Sequence, residues 1–179
     1  MYYTTTCTSP LGLITLACDG ENLAGLWIEG QKYHGAGILE TAQPRYDMPV
    51  FDAAKSWLQR YFAGEKPEIQ ELPLSPAGSG FRKAVWDILC GIPYGGLVTY
   101  GYIAKKLAVR MNKPGMSGQA VGGAVGHNPI SIIIPCHRVV GSNGSLTGYA
   151  GGIDKKIKLL HLEGADLSRS FVPAKGTAL

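Results

Sequence analysis

The chain has 179 residues, 45% of them hydrophobic, and its 17 Lys/Arg against 13 Asp/Glu leave a formal net charge of +4. That composition fits a soluble globular protein of one ordinary domain or two small ones. No apolar run approaches the roughly 20 residues that cross a bilayer, and Met1-Tyr2-Tyr3-Thr4 is not the basic start of a signal sequence, so a cytoplasmic protein with no membrane partner is expected.

The first strands are predicted at Tyr2–Thr6, Gly12–Cys18 and Leu23–Trp27, rich in Thr, Tyr, Ile and Leu and separated by the turns Ser9-Pro10-Leu11-Gly12 and Asp19-Gly20-Glu21-Asn22; they read as a small antiparallel meander. From Phe51 to Phe62 the residues Ala54, Trp57, Leu58, Tyr61 and Phe62 recur at helical spacing, and Gly64 closes that helix. Lys66 to Gly80 has no strong period and places a boundary, giving units 1–76 and 77–179. Ser79 caps a helix Phe81–Leu89 with Phe81, Val85, Trp86 and Leu89 on one face. Thr99 caps Tyr100–Leu107 and Ser117 caps Gly118–Val125, a pairing that reads as a helix-turn-helix or as an ordinary packing hairpin. The last helix, Asp154–Glu163, is amphipathic through Ile157, Leu160 and Leu162, and Gly164 stops it. The fold class is therefore α+β, with a small antiparallel sheet and helix followed by a mostly helical half.

Charge and cysteines narrow the chemistry. Residues 1–80 carry 5 Lys/Arg against 9 Asp/Glu, and residues 81–179 carry 12 against 4, so the second half holds the field that attracts a polyanion. Cys7, Cys18, Cys90 and Cys136 form no CxxC pair; reduced thiols and no metal are expected. Cys136 lies in Ile132-Ile133-Ile134-Pro135-Cys136-His137-Arg138-Val139-Val140. It reads either as a small hydrophobe in a core strand or as a nucleophile, because Pro135 bends the run out of a sheet toward an edge or cleft. Positive charge on His137 and Arg138 beside the thiol is expected to favour thiolate. The segment Gly141–Gly152 is a glycine-rich loop with one aromatic, either loose or the wall of a flat pocket.

With these pieces in place, Ile92 to Gly164 resembles the catalytic domain of the O6-alkylguanine-DNA alkyltransferases, or methylated-DNA–protein-cysteine methyltransferases. The matching residues are Ile92-Pro93-Tyr94-Gly95, Thr99-Tyr100-Gly101, Ala120-Val121-Gly122-Gly123-Ala124, Asn128-Pro129, Pro135-Cys136-His137-Arg138-Val139 and Leu162-Glu163-Gly164. The resemblance implies a ribonuclease H-like N-terminal unit, a winged helix-turn-helix-like C-terminal unit, no cofactor, and a monomer acting on double-stranded DNA that contains alkylated guanine. It implies irreversible transfer of the alkyl group from O6-alkylguanine, and from O4-alkylthymine, to Cys136, so that each molecule acts once. His137 is then the base that takes the Cys136 proton through a water, Glu163 orients the imidazole, Asn128 braces the turn as a hinge, and Tyr100 helps protonate the departing guanine. A stacked base cannot reach such a thiol, so it must be flipped out. The resemblance assigns substrate or DNA contact to Gln119, Ala120, Gly122, Gly123, Arg138, Leu146, Tyr149, Ala150 and Gly151, with helix Gly118–Val125 in the minor groove.

Two departures stand out. Many relatives place an arginine finger where this chain has Gln119, which fills space without charge. The loop Ala108–Met116 is about five residues longer than in those relatives, and its Arg110 and Lys113 are candidates for phosphate contact. Other readings differ at Cys136. A non-catalytic lesion-binding relative lacks the cysteine there, a transcription regulator needs a sensor that the N-terminal half does not display, and in a cysteine hydrolase adjacent Cys136 and His137 make a poor direct pair.

Overall fold

A computed structural model of the chain describes residues 1–174. The chain divides into two compact units, one formed by Met1–Ala77 with Pro129–Ile133, the other by Gly78–Asn128 with the chain from Ile134 onward. The α+β architecture holds. Residues 129–133 are the part no local signal assigns to the first unit: Leu26 N–H donates to Pro129 O and Ser131 N–H to Leu26 O (2.8 and 3.0 Å), which covers part of a strand edge otherwise open to aggregation.

In the first unit, β1 (Tyr3–Ser9), β2 (Gly12–Cys18) and β3 (Leu23–Ile28) form the expected meander. A fourth strand, β4 (Gln43–Pro44), runs parallel to β1 and completes the order β3-β2-β1-β4; two residues ending in proline carry no strand period, so it escapes sequence reading. All six β3 residues are buried. Gly25 is required there, because a Cβ would meet the Trp27 indole at 2.0 Å. Helix α1 (Pro49–Phe62) starts two residues before the expected Phe51, since Pro49 is preorganised for a first helical position. Its Phe51, Ala54, Trp57, Leu58 and Tyr61 are buried, and Trp57 stacks on Tyr61 at 5.3 Å.

The second unit begins with α2 (Gly80–Cys90), whose Ser79 cap accepts from Arg82 N–H. Trp86 donates its indole N–H to Ala124 O at 2.8 Å and so ties α2 to α4 (Gly118–Gly126). Phe81, expected on the buried face, is only half-buried, and Ile88 takes its place. After β5 (Val98–Thr99), α3 (Tyr100–Arg110) and α4 pack on each other as a helix-turn-helix, α3 running three residues beyond its expected end. The chain then makes a three-residue 3₁₀ turn, Cys136–Arg138, and β6 (Val139–Val140), which pairs parallel with β5. The glycine-rich loop is pinned: Leu146 N–H donates to Phe171 O at 3.0 Å, and a Cβ on Gly144 would strike Arg169 O at 2.1 Å.

Helix α5 (Ile153–Leu162) buries a different face from the one expected. Leu162 is exposed and Ile157 half-buried, whereas Lys156, Leu159 and Leu160 are buried, with Glu163 just past the end. Positions 156, 159, 160 and 163 form one i, i+3, i+4, i+7 stripe. Its two ends are charged, which is why a search for apolar residues passes it by.

Candidate active site

The turn that carries Cys136 is reached through two tight bends. In the first unit, Ile132 has φ 70° while Ile133 N–H donates to Ser131 O, a γ-turn that strains a β-branched residue. In the second, Pro135 (φ −82°, ψ 62°) carries an inverse γ-turn closed by Cys136 N–H to Ile134 O at 2.8 Å. Asn128 braces that bend: its Nδ2 donates to Ile134 O at 2.8 Å and to Cys136 Sγ at 3.1 Å.

Cys136 does leave the regular sheet, as Pro135 requires, but it is not displayed at an edge; only 3% of it is exposed. Burial pushes its thiol up, opposed by the Asn128 hydrogen bond and by the charge of Lys156. The expectation that Arg138 would promote the thiolate is therefore corrected. The Arg138 guanidinium turns away, donating through Nε and Nη2 to Glu163 (2.8 and 2.9 Å) and through Nη1 to Ile92 O (2.6 Å), with Tyr94 beneath it at 5.7 Å.

Glu163 is the hub. It accepts from His137 Nε2 at 2.7 Å, from Arg138 twice, and from Gly95 N–H at 3.0 Å. Burial pushes its carboxyl up, but the His137 and Arg138 hydrogen bonds outweigh that and hold it well below the usual carboxylate range. Gly95 has φ 75°, and a Cβ there would meet Glu163 O at 2.8 Å, so the turn after Pro93-Tyr94 needs glycine. Burial lowers the His137 pKa more than Glu163 raises it, giving a neutral imidazole. With Nε2–H donated to Glu163, Nδ1 is left as the basic lone pair, buried and with no hydrogen-bond partner. No hydrogen bond joins it directly to Cys136. Tyr149 lies edge-on to the imidazole at 6.3 Å.

Both halves of the chain match one family: residues 80–165 match its 6-O-methylguanine DNA methyltransferase, DNA binding domain, and residues 1–76 its ribonuclease-like domain. The chain belongs to the 6-O-methylguanine DNA methyltransferase family. It is 41% identical over 167 residues to a methylated-DNA–protein-cysteine methyltransferase of Haemophilus influenzae, covering 91% of this chain and 86% of that one. A protein of the same name from Methanosarcina barkeri is 45% identical over 164 residues, 91% of this chain and 97% of the relative. The fold is similar to a crystal structure of Mycobacterium tuberculosis OGT in complex with DNA, with TM-score 0.78, 40% identity, and 97% and 95% of the two chains covered.

The remaining residues expected at the site of this methyltransferase-family chain fall into two groups. Tyr100 is half-buried at the start of α3, its hydroxyl donating to Gly148 O at 3.3 Å. Leu146 and Tyr149 are buried and Ala150 and Gly151 half-buried in the pinned loop; a Cβ on Gly151 would clash with the Tyr149 ring at 2.6 Å. On α4, Gln119 and Ala120 are exposed and Gly123 half-exposed, but Gly122 faces inward with Val121. Arg138 is enclosed, not placed for a phosphate. Arg110 is paired with Asp87 at 2.6 Å, whereas Lys113 is exposed. Lys156 was missed altogether. It is fully buried, its Nζ donating to Val139 O, in the strand that follows the Cys136–Arg138 turn, and to Thr147 O.

Proposed function

We propose that this protein repairs DNA by accepting the O6-alkyl group of guanine onto Cys136. The observation that carries the reading is the arrangement around one sulfur: an amide donor from Asn128 on Sγ, and behind it a neutral imidazole whose Nε2–H is held by Glu163 and whose Nδ1 is left as a base. His137 Nδ1 takes the thiol proton, bridged by a water, and the thiolate attacks the alkyl carbon in line. The S–C bond forms as the C–O6 bond breaks, and the electron pair leaves on guanine, which takes up a proton from the Tyr100 side. The thioether is stable, so one molecule performs one transfer. O4-alkylthymine presents the same alkoxy carbon on a smaller ring and is a second substrate.

Helix α4 meets the minor groove. Gly118, Gly123 and Gly126 would each tolerate a Cβ with nothing inside the protein within 4 Å, although glycine in a helix costs about 1 kcal/mol relative to alanine. Packing inside the protein does not call for these glycines; a backbone that must come close to a duplex does. Gln119 enters the stack in place of the flipped base, and Leu146, Tyr149, Ala150 and Gly151 line the guanine pocket. The protein works as a monomer in the cytoplasm. No helix among the described residues is long and apolar enough to cross a membrane.

The test is to incubate the protein with a duplex oligonucleotide carrying O6-methylguanine and weigh it. The expected result is one added methyl on the peptide containing Cys136. Tight binding with no gain in mass is the outcome that sinks the proposal.

A further inference from the structure

We infer that Lys156 is a positioning residue of the alkyl-transfer site, holding the loop that walls the guanine pocket against the strand that follows the nucleophile and directing its positive charge at Cys136. The inference rests on Cys136 as the alkyl acceptor.

The geometry is specific. From the first turn of α5, the Lys156 side chain runs inward until none of it is exposed. Its ammonium donates to Val139 O, in the strand that continues directly from the Cys136–Arg138 turn, and at 3.0 Å to Thr147 O, in the loop that carries Tyr149. The carbonyls of Thr147 and Gly148 are also those that Tyr100 approaches through its hydroxyl, so one cation and one phenol clamp the same loop. A structural strut could be neutral. A lysine enclosed this fully is rare unless it is paired, and among the described residues no carboxylate forms a salt bridge with Lys156.

The partner it faces is the thiol. Of the neighbouring cationic and basic side chains, Arg138 is held by Glu163 and Ile92 O, and His137 is kept neutral by burial. Tyr100 and Tyr149 face Cys136 as neutral phenols, their ionisation suppressed first by burial and further by the thiolate. Lys156 thus supplies positive charge that steadies the thiolate as it forms. Burial lowers the lysine to about 8 and Cys136 opposes that fall. The two groups titrate as a pair.

Lys156→Met keeps the apolar stem and removes the charge. The rate at which iodoacetamide labels Cys136, followed peptide by peptide against pH, should show the thiol midpoint raised by about one pH unit, with methyl transfer near pH 7 slower by about tenfold. A folded variant whose Cys136 titrates like wild type overturns the inference, even if it melts earlier. The wild-type protein gives a second measurement: the Lys156 ε-methylene resonance should titrate near 8 and at lower pH once Cys136 has been methylated, whereas an unchanged midpoint overturns the inference. Methyl arriving on Cys7, Cys18 or Cys90 would instead sink the acceptor reading beneath it.

Discussion

The two units bury different kinds of side chain. In the first, the buried polar side chains are neutral: Thr5, Gln31 and Ser131, with Gln31 accepting from Ile28 N–H and from Ser131 Oγ. The second buries His137, Arg138, Lys156 and Glu163. Apolar burial stabilises without regard to pH, whereas enclosed ionisable groups are costly and tie stability to protonation. Among the described residues, only the second unit encloses His, Arg, Lys and Glu side chains, and they lie on the Cys136–Arg138 turn and on the last helix and its end.

The comparison can be broken most decisively at the sulfur itself. Cys136→Ala should abolish methyl uptake by mass while leaving a folded protein that still binds DNA. Glu163→Gln comes next. It strands the Arg138 guanidinium and unlocks the imidazole, and denaturant unfolding should show a loss of about 3–5 kcal/mol together with slowed transfer; a loss below about 1 kcal/mol would mean the hub does not organise the site. In the first unit, Trp27→Ala should also cost about 3–5 kcal/mol through the cavity it leaves, yet single-turnover kinetics on the folded fraction should match wild type. A slowed rate there would dissolve the division of labour.

A pH test sharpens the contrast. The Lys156 pKa is depressed in the folded protein to about 8 from 10.5, so between those values the unfolded chain holds a proton that the folded one has released. Stability from this group therefore rises with pH across that window. The unfolding free energy of wild type relative to Lys156→Met should improve by about 1–3 kcal/mol between pH 8 and 10.5, and the difference cancels the opposing contributions of Tyr100 and Tyr149. The smallest effect is at α4: Gly123→Ala should stabilise the helix by up to about 1 kcal/mol and weaken binding to duplex DNA, since the added methyl meets nothing within the protein. Unchanged affinity would remove α4 from the groove.

Periodicity, caps and turn residues were enough to find the meander and all five helices to within three residues at either end, because each rests on local spacing; the roles of His137 and Glu163 came only from the family resemblance. What sequence alone left undecided depends on which way a side chain turns once it is enclosed. Arg138 stands beside Cys136 in the chain, yet its charge goes to Glu163, twenty-five positions on; Lys156, twenty positions away, donates to Val139 O in the strand that follows Cys136, and its charge opposes the rise of the thiol pKa. Gly122 is buried and its neighbour Gly123 half-exposed, and Pro129–Ile133 joins the first unit from within the second half of the chain. Chain neighbours share a location but not a dielectric environment, and that environment, set by packing between segments distant in sequence, decides which charges act on one another.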